Sequence, residues 1–151
     1  MRLGAHESIA GGLVNAFERG HQATCDAIQI FTKSNRQWKA KPLTEDEINA
    51  WRERMAQEAA SGGIFPVVVH SAYLINIASP KPKTWQKSYD ALKIELARCE
   101  ALGIPYLVLH PGSHTGAGEE AGLENAARAL SQLHAETAGF EAMICLEVMA
   151  G

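Results

Sequence analysis

Three residues far apart in the chain each follow an apolar run. His70 follows FPVVV (65–69), His110 follows YLVL (106–109), and Glu147 follows AMICL (142–146). His6 closes a shorter segment, RLGAH (2–6). Neutral imidazole and carboxylate are ligands for zinc and other divalent transition metals. A histidine at a strand end is more often a hydrogen-bonded structural residue than a ligand. Here His, His and Glu recur at the same place in the pattern, and that recurrence sets a shared metal site level with the structural reading. His114 stands four residues after His110, but Pro111 and Gly112 intervene, so HPGSH reads as a loop and not as a helical metal pair. The reading for His114 is orientation of the site from outside the coordination sphere. His21 and His134 fall on helical segments as solvated or packing residues.

A second cluster is KSNRQWKAK (33–41), with the cations Lys33, Arg36, Lys39 and Lys41, the amides Asn35 and Gln37, and Trp38. Cations with amides and an aromatic suit phosphate positioning and groove contact. A solvated loop is the plain alternative. Tyr73 and Leu74, just after His70, form an aromatic and apolar tip. It suits insertion between bases, or equally the capping of a barrel end.

These groups act together only if the chain brings them to one place. The periodicity predicts strands at 2–6, 27–32, 65–70, 106–110 and 142–147. Helices are expected between them, at 12–20 with Gly20 as the stop, from 44 to Gly62, after the Pro80 and Pro82 break with Gly103 closing it, and at about 120–137. TEDE (44–47) matches a capping box. The stripe Ile48, Trp51, Met55 and Ala59 marks the second helix. Trp85, Tyr89, Leu92, Leu96 and Cys99 mark the third, and Leu123, Ala127, Leu130 and Leu133 the fourth. Strict alternation argues α/β architecture with a parallel sheet. The near-continuous apolar runs suit strands buried on both faces. Parallel strands put all their C-terminal ends on one rim, where ligands bind in barrels and open sheets alike. Periodicity leaves an open doubly wound sheet and the opening part of an eight-stranded barrel both standing.

Composition narrows the class. The 151 residues are 46% hydrophobic and 21% charged, ordinary values for a globular protein, which argues against disorder, collagen-like sequence and a coiled coil. No run reaches the roughly 18 apolar residues of a membrane span, and the first residues lack a signal-peptide pattern. A cytoplasmic location and no membrane partner are expected. Net charge is −3, so a nucleic-acid partner needs a local basic patch. Cys25, Cys99 and Cys145 are odd in number and widely spaced, and they read as buried small apolar residues.

GAHESIAGGL, FTKSNRQWKAKPL, HSAYLINIASP, LGIPYLVLHPGSHTG and the closing CLEVMAG together resemble, in order and spacing, the first part of the endonuclease IV family. The resemblance covers essentially the whole chain. It implies a (β/α)8 (TIM) barrel with three zinc ions at the C-terminal rim. By match of motif, His70 and His110 would be zinc ligands, and Glu147 a bridging carboxylate at the catalytic centre. Arg36, Tyr73 and Leu74 match positions that enter double-stranded DNA at an abasic site. The implied reaction is zinc-dependent hydrolysis of the phosphodiester 5′ to that site, a step of base-excision repair.

Two departures qualify the resemblance. After the glutamate the family reads like ENTAG, and here the chain reads EVMAG (147–151), without the polar support. The remaining family ligands belong to a second half that these residues do not include. The expectation is therefore one partial domain over 1–151, with the first five strands and four helices of a TIM barrel that cannot close. Three ligands cannot build a three-zinc cluster. A marginally stable or self-associating chain, inactive without its C-terminal half, is expected. Two other readings use the same residues. One is a sugar isomerase or epimerase of the xylose-isomerase type, which would not need the 33–41 cations. The other is a non-catalytic DNA- or metal-binding remnant.

Overall fold

The computed structural model describes residues 1–148. Met149, Ala150 and Gly151, which complete the EVMAG departure, lie outside the described residues. The elements run β1 (Gly4–Glu7), α1 (Asn15–Gln22), β2 (Ala27–Ile30), α2 (Glu45–Ser61), β3 (Val67–His70), α3 (Pro82–Leu102), β4 (Tyr106–Leu109), α4 (Glu119–Glu136) and β5 (Met143–Leu146). All five strands are parallel, in the spatial order β1-β2-β3-β4-β5. The sheet is open, as expected, and β1 and β5 form its edges.

Local chemistry accounts for the helix ends. Thr44 Oγ1 accepts from the Glu47 N–H (3.2 Å), and the Glu47 carboxylate accepts from the Thr44 N–H (2.8 Å), completing the capping box of α2. Gly62 and Gly103 end α2 and α3 at φ 70° and 69°, in the left-handed region where a side chain is strained. Gly20 is not a stop. It lies inside α1, where an added Cβ would meet Ile64 Cδ1 at 2.7 Å and Ile28 Cγ2 at 2.8 Å. It is glycine because the helix passes close over β2 and the loop before β3.

The helices cover one face of the sheet. Ile28, Ile30, Val67, Val69, Leu107 and Leu109 are buried beneath them, together with Phe17, Trp51, Leu92, Leu96 and Leu133. The opposite face carries His6, Gln29, Val68, His70, Val108 and Cys145, and most of it is only partly covered. The inner strands β2, β3 and β4 are thus fully buried on one face, not on both, and the edge strands β1 and β5 on neither. Two predicted stripes also shift. In α4 the core takes Ala129 and Leu133, while Leu123 and Ala127 face outward. In α2 the stripe ends before Ala59, and the buried position is Glu58, which accepts from the Ile64 N–H (3.0 Å) and pairs with His21 (2.8 Å) and Arg54 (2.8 Å). The three thiols are free. Cys99 alone is buried, and Cys25 and Cys145 are half-buried.

Candidate metal centre and substrate loops

Strand register delivers the candidate ligands. Side chains alternate along a strand, so directly paired residues of parallel strands share a face. His6 pairs with Gln29, His70 with Val108, and Val108 with Cys145. His70, His110 and Glu147 stand at even steps along this set, so all three project from the partly covered face. Leu109 pairs with Leu146, and the next residue on each strand is His110 and Glu147. His70 sits two residues deeper and is buried, His110 is half-buried and Glu147 is exposed.

Their donor atoms converge. His70 Nε2 lies 3.3 Å and His110 Nε2 3.6 Å from the same Glu147 oxygen, Oε2. One donor atom from each residue falls within 4.8 Å of the others. The Ser71 carbonyl accepts from His70 Nδ1 (2.7 Å), and the Glu147 carbonyl lies 3.2 Å from His110 Nδ1. A carbonyl only accepts, so these contacts favour a proton on each Nδ1 and turn each Nε2 toward the carboxylate, the orientation a metal ligand needs. Two ligands on one zinc, each about 2.1 Å from it at a tetrahedral angle, lie about 3.4 Å apart. The donor set and the two separations from Glu147 Oε2 therefore fit one such ion with positions left open.

His6 stands beside this set but outside it. Its Nδ1 accepts from Gln29 Nε2 (3.2 Å), and its ring packs on Phe31 with centroids 4.3 Å apart. Burial, then the neighbouring His70, hold its imidazole below the ordinary value. His114 organises its own loop, with Nδ1 accepting from the Gly116 (3.2 Å) and Gly118 (3.1 Å) N–H groups.

Two loops flank these candidate ligands. Tyr73 is 65% exposed, and its ring lies over the imidazoles, 5.3 Å from His70 and 6.5 Å from His110 between centroids. Leu74 beside it is half-buried. A cavity of about 260 Å³ opens here, between Tyr73, Asn76, the two histidines and Ser113. In the other loop Arg36 is exposed on a turn and Gln37 is exposed after it. Trp38 is half-buried against the core, with Lys87 Nζ 4.5 Å from its ring centroid, so it anchors the loop to α3. Lys33 departs from the reading of four available cations. It is buried and paired with Glu95 of α3 at 3.2 Å, because its loop begins under the helix layer. Sequence reasoning passed over Glu95, Arg98 and Asn76. An isolated Glu inside an apolar helix stripe was the available signal for the first. The Asn76 side chain both accepts from the Ser113 N–H (3.1 Å) and donates to its carbonyl (3.0 Å), tying the loop after β3 to the loop after β4.

Residues 17–151 match the family model described as a xylose isomerase-like TIM barrel. The chain is 51% identical over 150 residues to a probable endonuclease 4 of Chloroflexus aurantiacus, covering 99% of the chain and 51% of that protein. It is 44% identical over 149 residues to a probable endonuclease 4 of Citrifermentans bemidjiense, with the same coverage. The crystal structure of endonuclease IV from Thermus thermophilus superposes with a TM-score of 0.80 and 35% identity, covering 100% of this chain and 53% of that one. D-psicose 3-epimerase from Clostridium cellulolyticum superposes with a TM-score of 0.66 at 16% identity, which shows the shared fold alone. The chain spans about half the length of the curated relatives it matches.

Proposed function

The chain belongs to the xylose isomerase-like TIM barrel family, on its endonuclease IV side, and from that premise we propose that it supplies the first half of a zinc-dependent apurinic/apyrimidinic endonuclease. The substrate in this reading is double-stranded DNA containing an abasic site, and the bond hydrolysed is the phosphodiester 5′ to it. The observation that carries the reading is the meeting of His70, His110 and Glu147 at one carboxylate oxygen, beside the loops that bear Arg36 and Tyr73.

His70, His110 and Glu147 would hold the ion. When bound, zinc supplies Lewis-acid polarisation of a phosphate oxygen and stabilises the negative charge that develops on it. His70 and His110 keep their Nε2 lone pairs available because their Nδ1 atoms face backbone carbonyls. Arg36 draws the phosphate backbone toward the rim. Tyr73 and Leu74 occupy the space left by the missing base, where little stacking has to be broken. Three donors provide for one ion, and a three-ion cluster takes its further ligands from the remaining half of a complete barrel. These residues form one partial domain of that barrel.

The test has two arms. Cobalt(II) titration of the full chain should give the absorption of a nitrogen- and oxygen-ligated ion, lost in H70A. Fluorescence anisotropy with a duplex carrying a tetrahydrofuran abasic analogue should show tighter binding than with the undamaged duplex, and R36A should weaken both. Absence of cobalt binding, or equal affinity for the two duplexes, would defeat the reading.

A further inference from the structure

The two substrate loops leave different strands, yet both are fastened to a single point on α3. Glu95 is 1% exposed, deep in the helix layer. Its two oxygens lie 3.2 Å from the Ala72 N–H, at the root of the loop that carries Tyr73 and Leu74. Oε1 is also 3.2 Å from Lys33 Nζ. Lys33 in turn donates to the Gln37 carbonyl (2.8 Å), and so closes the turn that carries Arg36. One helical turn further on, Arg98 reaches the same loop from below. Its guanidinium donates to Thr32 Oγ1 (3.1 Å), to the Thr32 carbonyl and to the Lys41 carbonyl (3.0 Å), holding both ends of the segment.

A buried ion pair is a poor device for stability, since apolar residues of the same shape often serve as well. This pair costs desolvation. Burial pushes the Glu95 carboxyl upward, against the opposing pull of Lys33 and the Ala72 N–H. What the pair provides is direction: fixed-length bonds to two separate loops from one carboxylate. Among the described residues, no hydrogen bond or ion pair joins Glu95 or Lys33 to His70, His110 or Glu147.

We propose that Glu95, with Lys33 and Arg98, is a positioning clamp that sets the Arg36 loop and the Tyr73 loop in register, so that both engage one lesion in DNA together. The substrate side of this proposal rests on the abasic-DNA reading above, whereas the mechanical coupling of the loops does not.

Two substitutions separate the parts of the clamp. Glu95→Gln keeps an acceptor for the Ala72 N–H but removes the charge that holds Lys33. Glu95→Ala removes both. Hydrogen exchange on the full chain should then show faster exchange in 33–41 alone for E95Q, and in both 33–41 and 71–76 for E95A. If E95A unfolds, the double variant K33M/E95Q, with amide and thioether in place of the ion pair, should free 33–41 to the same degree as E95Q. Anisotropy with the abasic and undamaged duplexes adds the functional readout. E95Q should lower the abasic-to-undamaged preference by about tenfold, a change of about 1.4 kcal/mol, while cobalt affinity stays at the parent value. A merely structural glutamate would lower the melting temperature and leave that preference intact. Unchanged exchange in 33–41 for E95Q overturns the clamp. Loss of loop protection in a chain whose parent form shows no abasic preference upholds the clamp and defeats the DNA reading.

Discussion

At the residue scale the candidate centre depends on lone pairs and on where protons sit. His70 and His110 each face a backbone carbonyl through Nδ1, an arrangement that favours the Nδ1–H form and turns Nε2 toward Glu147. Removing one of the three candidate ligands leaves too few donors in the proposed site, and H110A or E147A is expected to weaken cobalt binding by more than about tenfold, read by titration of the full chain. Metal affinity should also fall on acidification, because each imidazole must keep its Nε2 lone pair to act as a ligand. Tyr73 is the exposed aromatic on the rim. On the proposed reading Y73A should lower the preference for abasic over undamaged duplex and leave cobalt affinity unchanged, since its ring lies over the two imidazoles and is not one of the three candidate donors.

The elements deliver those residues because their ends are chemically specified. The capping box of α2 satisfies two backbone N–H groups that the helix itself cannot. T44A should cost about 1 kcal/mol in denaturant unfolding, with no change in the slope. Between α3 and α4, Lys93 Nζ donates to Glu136 Oε2 at 2.6 Å. The Lys93 and Gln132 hydrogen bonds hold the Glu136 carboxyl down at about 2, below its ordinary 4.5. A depressed carboxyl stabilises the fold above its unfolded value, and the contribution is lost as pH falls through the folded one. Acid should therefore loosen the α3–α4 contact between about pH 4.5 and pH 2. E136Q should lower thermal stability on the neutral side toward its acid value, and so flatten that part of the profile.

The whole molecule is a sheet with helices on one face and open edges. Leu3 beside β1, Met143 and Leu146 in β5 and Leu123 in α4 expose apolar surface that a closed barrel would cover. The chain should gain mass with concentration in sedimentation experiments, and M143K/L146K should shift it toward the monomer. The open sheet also explains where pattern reading fell short. Alternation marked all nine elements because buried faces impose their period on the sequence. The faces themselves were harder to assign. Leu123 and Ala127 have the spacing of a core stripe, but α4 turns Ala129 and Leu133 inward instead. Lys33 has the composition of a phosphate-binding loop, and the fold commits it to a buried pair.

The sequence by itself determined the alternation of strands and helices, the parallel sheet, and the placing of His70, His110 and Glu147 at strand ends. Each of those follows from the chain's own period and its apolar runs. Only the tertiary structure decided that three strands in register bring those donors to one oxygen atom. It alone made Gly20 a contact point and tied two distant loops to Glu95. Such facts depend on which residues become neighbours across many positions of chain, and that is set by packing, which a one-dimensional pattern does not carry.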